Sequence, residues 1–62
     1  MLAYRVYLIH PLPVEGLHSE GYLLISESEL DTLIDGGSII RNLSNGSEVD
    51  IYYRDLSMVV KD

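Results

Sequence analysis

This chain of 62 residues has no cysteine, no tryptophan and no phenylalanine. Without cysteine it cannot form disulfides or thiolate zinc sites, and nothing requires an oxidising compartment. Its apolar runs reach about four residues, far below the roughly 20 that a membrane-spanning helix needs. Arg5 lies inside the apolar beginning rather than before it, unlike the basic region of a signal peptide. We therefore expect a complete cytoplasmic protein with no membrane partner.

Basic residues are the other scarcity, with four lysines and arginines against ten acids and a net charge of −6. No lysine or arginine occurs between Arg5 and Arg41. Phosphate binding needs a basic patch, so direct nucleic-acid binding is not expected. The acidity belongs to this middle stretch, which contains Glu15, Glu20, Glu27, Glu29, Asp31 and Asp35.

The length predicts one small domain over residues 1–62. A domain of this size buries only about 60% of the surface that its unfolded chain exposes, so it is marginal alone. Small domains compensate with disulfides, metals or oligomerisation. With 47% hydrophobic residues and no cysteine, we expect the chain to bind itself, as a homodimer or a higher homo-oligomer.

Two-residue alternation predicts a strand from Leu2 to Ile9 that is apolar on both faces, which is typical of a central or doubly covered strand. Leu2, Tyr4, Val6 and Leu8 share one face of that strand. Proline cannot donate to a ladder, so Pro11 and Pro13 end the strand. A second strand is predicted over residues 22–25, and a last edge strand over residues 58–60 after a turn or short helical piece at residues 55–57.

The segment SESELDTLIDGG predicts the helix. Ser26 and Glu29 fit a capping box, Ile25 and Leu30 fit a hydrophobic staple, and Gly36 or Gly37 fits a left-handed end. The glycines follow a helix rather than precede one, so they do not form a phosphate-binding loop. The expected apolar stripe of the helix consists of Leu30, Leu33 and Ile34.

Asn45-Gly46 between two apolar segments predicts a β-hairpin with a two-residue turn. That turn places Arg41 opposite Asp50 as an ion pair and Ile39 opposite Tyr52. The more apolar face, expected to look at the helix, then carries Ile40, Val49, Ile51 and Tyr53. The fold class is α+β: β-β-α-β-β, with a possible fifth strand, an antiparallel or mixed sheet and one helix on one face.

The stretch HPLPVEGLHSEG, residues 10–21, holds both histidines and both prolines. Its length is near the upper limit for a loop without a function. The favoured interpretation is a proline-stiffened connection. Two alternatives stay open, which are contact with a partner and a small-ligand or metal site whose candidate ligands are His10 and His18. We expect no cofactor, and no enzyme, because so short a chain has little bulk for a dry, preorganised pocket.

Two features indicate docking surfaces. Five tyrosines lie on predicted strands, and one helix cannot cover both sheet faces, so Tyr7 and Tyr52 are candidate interface residues.

Glu27, Asp31 and Asp35 recur at i, i+4 and i+8 on the helix, where like charges destabilise it. A solvated face is the ordinary interpretation of this stripe, and a docking face for a basic partner is the functional one.

The leading hypothesis is a non-catalytic protein–protein interaction module that presents its acidic helix to a basic protein. Small acidic chains without cysteine are similar to those that phages and other mobile elements encode as inhibitors or regulators. The alternatives are a small-ligand or metal-binding protein that uses the loop from His10 to Gly21, and a structural or assembly subunit that adds a sheet edge to a neighbour.

Overall fold

A computed structural model describes residues 3–62 and gives the α+β domain that the sequence predicts. Leu2, the predicted start of the first strand, lies outside the described residues. A single 3₁₀ turn at Tyr53–Asp55 precedes the last strand, where a turn or short helical piece is predicted. The elements in chain order are β1 (Ala3–Leu8), β2 (Tyr22–Ser26), α1 (Glu27–Ile34), β3 (Ser38–Asn42), β4 (Glu48–Tyr52) and β5 (Leu56–Lys61).

The strands divide into two antiparallel sheets, one with the order β2-β1-β5 and one formed by β3 and β4. β1 is the central strand of the first sheet, in agreement with its apolar character on both faces. Its inner face carries Val6 and Leu8, which are buried. The core joins them to buried side chains from β2, α1, β3, β4 and the loop between β1 and β2, namely Val14, Leu23, Ile25, Leu33, Ile39 and Ile51.

In residues 3–62, no helix packs on the other face of the three-stranded sheet. Residues paired across antiparallel strands share a face, so the register places Arg5 beside Leu24 and Val60. Tyr7 lies beside Tyr22 and Met58 in the next row. We call this surface the outer sheet face, and it consists of Arg5, Tyr7, Tyr22, Leu24, Met58 and Val60.

The hairpin register predicted from Asn45-Gly46 is wrong by one residue. The Leu43 N–H donates to the Ser47 carbonyl at 2.6 Å, which leaves three residues in the loop, and Gly46 takes the left-handed conformation with φ +92°. This is the type I turn with a glycine bulge, the next commonest hairpin loop. A shift of one residue turns every side chain of a strand to its other face.

The shift exchanges the predicted inner and outer residues of β3. Ile39 pairs with Ile51 in the core, whereas Ile40 lies opposite Asp50 and is 56% exposed. Tyr53, which was also expected on the inner face, belongs to the 3₁₀ turn and is exposed. The predicted ion pair between Arg41 and Asp50 does not form, because Arg41 lies opposite Val49 and points toward the helix.

The helix begins and ends where the sequence predicts. The Glu29 N–H donates to Ser26 Oγ at 3.1 Å, and the Ser26 N–H donates to Glu29 Oε1 at 3.0 Å. At the other end Gly36, with φ +94°, and Gly37 donate to the carbonyls of Leu33 and Thr32, which is a Schellman ending. In residues 3–62, no helix has the length and apolar character needed to cross a membrane.

Only part of the predicted apolar stripe of α1 faces the core. Leu33 is 1% exposed and Leu30 packs against the core, whereas Ile34 is 64% exposed. The eight-residue helix therefore buries a narrower stripe than the sequence pattern predicts.

The loop between β1 and β2 is fastened to the hairpin. Val14 is buried in the core and forms an isolated bridge with Leu43. The Ser44 N–H donates to the Pro13 carbonyl and the Glu15 N–H donates to the Asn42 carbonyl, both at 2.8 Å. The loop thus covers the open edge of β3 at its far end and adds a side chain to the core, which supports the structural interpretation of this stretch.

Val14→Ala should lower the free energy of unfolding by about 2 kcal/mol, because two buried methyl groups are lost. Leu12→Ala in the same loop, where the side chain is partly exposed, should lower it by less than about 1 kcal/mol. Urea unfolding of both variants measures the difference. Equal, small effects would show that the loop is not part of the core.

Candidate functional site

The three predicted carboxylates of α1 lie together on its exposed side. Glu27, Asp31 and Asp35 are all exposed, and they are spaced one helical turn apart. Ile34 lies seven residues after Glu27 and thus falls on the same side of the helix. We call this surface the acidic helix face, which consists of Glu27, Asp31, Ile34 and Asp35.

In the described part of the chain, no basic side chain forms a salt bridge with these carboxylates. Among residues 3–62, the close approaches between acids and bases are Arg5 to Asp62, Arg41 to Glu29 and His18 to Glu20. None reaches the acidic helix face, and the last turn of α1 contains no basic residue. Asp35 also lies at the helix C-terminus, where the helix dipole disfavours negative charge. The acidic helix face therefore has a negative potential, and its charges destabilise α1.

Glu29 differs from the other helical acids because its carboxylate is used inside the fold. Its Oε1 accepts the Ser26 N–H, and its Oε2 accepts from Arg41 at 2.9 Å. Partial burial raises the pKa of Glu29, but the hydrogen bonds from Ser26 and Arg41 together with the Arg41 charge outweigh it and hold the pKa below its usual value. This carboxylate fixes α1 against β3 and is unavailable to a partner.

Ile34 adds an exposed apolar side chain to the acidic helix face. With Asp31, Thr32 and Asp35 it lines a shallow surface depression. An apolar side chain next to exposed carboxylates can bury a partner's apolar group while the carboxylates bind neighbouring cations. The spacing of Leu30, Leu33 and Ile34 predicts that Ile34 faces the core, so its place on this surface does not follow from the sequence pattern.

The two tyrosines predicted at an interface lie on other surfaces. Tyr7 is half-buried on the outer sheet face, with its ring centroid 5.5 Å from that of Tyr22. Tyr52 is half-buried on β4, with the Arg54 guanidinium 4.5 Å from its ring centroid. The structure thus brings together the three predicted acids and places Tyr7 on a different surface. Tyr52 lines a cavity with Gly36 and Gly37, which directly follow Asp35.

Tyr22 is the centre of an aromatic cluster that the sequence did not indicate. The His18 ring stacks on it at 4.4 Å between centroids, and the Arg5 guanidinium lies 4.8 Å from its centroid. These contacts leave Tyr22 6% exposed although it lies on the outer sheet face. The cluster depends on the pairing of Tyr22 with Tyr7 in neighbouring strands. This pairing can be recognised only when the strand register is known.

The two candidate metal ligands contact different elements. His18 stacks on β2, and its Nδ1 accepts the Glu20 N–H at 3.1 Å. His10 lines a cavity of about 300 Å³ with Leu12, Tyr52 and Arg54. Among residues 3–62, no three histidine or acidic side chains form a group that could hold a metal ion.

Glu29→Gln should reduce the free energy of unfolding by about 1 kcal/mol at neutral pH, since the ion pair with Arg41 is lost. Because the pKa of Glu29 is lowered on folding, its charge stabilises the fold above the ordinary carboxyl pKa of 4.5. That contribution disappears as the pH falls through the lower pKa of the folded state.

Urea unfolding between pH 7 and pH 3 tests this dependence. The difference between the native chain and Glu29→Gln should shrink at the acidic end, whereas Glu15→Gln, at an exposed position without an ion pair, should match the native chain throughout. A difference that persists unchanged at pH 3 would contradict the role of the Glu29 charge.

Comparisons of the chain with protein-family models, curated proteins and solved structures found no match. Function is therefore inferred from the surfaces of the fold, above all from the acidic helix face.

Proposed function

We propose that this protein is a non-catalytic interaction module that docks its acidic helix face on a basic partner protein. One observation carries the proposal: Ile34 is 64% exposed beside Glu27, Asp31 and Asp35, and no salt bridge in residues 3–62 reaches these carboxylates. Such a surface offers an apolar contact and a negative potential at the same place.

The same surface is unfavourable for the isolated chain in three ways. The carboxylates repel one another at i, i+4 spacing, Asp35 opposes the helix dipole, and Ile34 contacts water instead of the core. A mixed pattern of charges would keep the protein soluble without these penalties. Local rules that are broken together at one place favour a functional explanation.

The complementary partner has an apolar group surrounded by lysines or arginines. Nucleic-acid-processing enzymes and regulators carry basic grooves of this kind, because they neutralise phosphates. A chain that occupies such a groove with carboxylates would compete with the nucleic acid and thereby act as an inhibitor. Opposite potentials would also accelerate the encounter, and added salt would weaken it.

The proposal is tested with a fluorescein-labelled amphipathic peptide that carries lysines around a leucine stripe. Fluorescence anisotropy at low and at physiological salt gives its affinity for the native chain. The triple variant Glu27→Gln, Asp31→Asn, Asp35→Asn should weaken binding about tenfold, the sum of several exposed ion pairs. Ile34→Ser, which keeps all the charges, should weaken it about tenfold as well, through lost apolar contact.

The matched control is the triple variant Glu15→Gln, Glu20→Gln, Glu48→Gln, which removes the same number of charges from exposed positions outside α1. It should bind the peptide within about twofold of the native chain, because salt screens charges that lie far from the contact. Equal losses in the two triple variants, or no effect of Ile34→Ser, would show that the peptide senses net charge alone. The docking proposal would then be wrong.

A further inference from the structure

β5 is an edge strand whose backbone leaves hydrogen-bonding groups without a strand partner on one side. The Asp62 N–H donates to the Ala3 carbonyl at 3.0 Å. Because hydrogen-bonded residues alternate along an antiparallel pair, Val60 and Met58 also bond to β1. Val59 and Lys61 therefore direct their N–H and C=O groups away from the sheet. Such an edge is a template for another strand.

The outer sheet face beside this edge is apolar and uncovered. Met58 is 50% exposed and Val60 is 39% exposed, and Leu24 is also exposed on β2. The helix packs on the inner side of the fold, where Leu33 joins the core. In residues 3–62, no element covers the outer sheet face, apart from the His18 side chain over Tyr22.

The charge of this region is nearly balanced, whereas the chain as a whole is acidic. Arg5 lies on the outer sheet face and Lys61 lies on the edge. The nearby acid, Asp62, is paired with Arg5 at 2.6 Å. Two copies, each with a net charge of −6, therefore repel each other least when they meet at β5. A strongly acidic or strongly basic partner has less to gain here than a second copy, which brings the same balanced charges and the same edge.

We propose that a second copy of this chain pairs antiparallel with β5 about a two-fold axis at Val60. Val59 then lies opposite the partner's Lys61, and Lys61 lies opposite the partner's Val59. All the outward N–H and C=O groups of these residues bond to one another, and the two three-stranded sheets become one sheet of six strands. Val60 meets the partner's Val60 on the outer sheet face. A closed two-fold contact of this kind leaves no free β5 edge.

The irregular beginning of β5 excludes registers that slide toward Ser57. The register with β1 shifts between Tyr7 and Leu8, so Ser57 is an extra residue in the strand. The Leu56 N–H is already bonded to the Tyr53 carbonyl. Val59 and Lys61 are thus the outward-facing residues of the regular part of β5, and the axis at Val60 pairs them with each other.

Single cysteines test this register, because the native chain has no cysteine. In the proposed dimer the Val60 residues form a non-hydrogen-bonded pair, with Cα atoms about 4.5 Å apart, within disulfide range. Met58 lies opposite the partner's Asp62 and far from the partner's Met58. Under mild oxidation Val60→Cys should form a disulfide-linked dimer at least about tenfold faster than Met58→Cys, since only the former has the required geometry.

The unmodified chain provides the second measurement. Light scattering after size exclusion should give twice the chain mass at high concentration. Amide hydrogen exchange of Val59 and Lys61 should slow as concentration rises, whereas that of Val60 and Met58 should not change, because their N–H groups bond to β1 in the monomer as well. The helix triple variant, Glu27→Gln, Asp31→Asn, Asp35→Asn, should dimerise at least as tightly as the native chain, because the copies then repel each other less. Failure of this inference is therefore distinguishable from failure of helix docking.

Equal disulfide rates for the two cysteine variants would overturn the register. A native chain that stays monomeric at millimolar concentration, with exchange at Val59 and Lys61 independent of concentration, would overturn the dimer.

Discussion

The carboxylate of Glu29 joins three elements of this small fold. One oxygen accepts the Ser26 N–H at the end of β2, and the other accepts from Arg41 on β3, so the first turn of α1 is held against both sheets. This arrangement sets which side of the helix enters the core. Leu33 is buried, and Ile34 is exposed on the same side as Glu27, Asp31 and Asp35. The contacts of Glu29 and the burial of Leu33 together place the acidic helix face on the solvent side.

The sequence predicted most of the local structure because local interactions determine it. The capping box of Ser26 and Glu29, the glycines after α1 and the centrality of β1 all depend on residues within a few positions. The hairpin register did not follow, because Asn45-Gly46 fits a two-residue and a three-residue loop alike. The Asn45 side chain accepts the Ser47 N–H in the observed loop, and this one-residue difference placed Ile39 inside and Ile40 outside.

The candidate site was predictable in its charges and not in its apolar part. The spacing of Glu27, Asp31 and Asp35 is a property of the sequence, whereas the exposure of Ile34 depends on how α1 packs on the core. If both proposals hold, a dimer formed through β5 would carry two acidic helices. Two linked docking faces bind a partner with two basic sites more tightly than either does alone, provided that the geometry permits simultaneous contact.

The three-stranded sheet has a further consequence for how the molecule acquires its shape. Among the described strands, the central strand β1 comes first in the chain and its neighbour β5 comes last. A fragment that ends before β5 cannot complete this sheet. During translation, the backbone N–H and C=O groups on one edge of β1 therefore have no strand partner until β5 has left the ribosome. Pairing of strands so distant in sequence is slow, because a long loop must close first. The nascent chain thus keeps one edge of its central strand unpaired until the whole domain has been made.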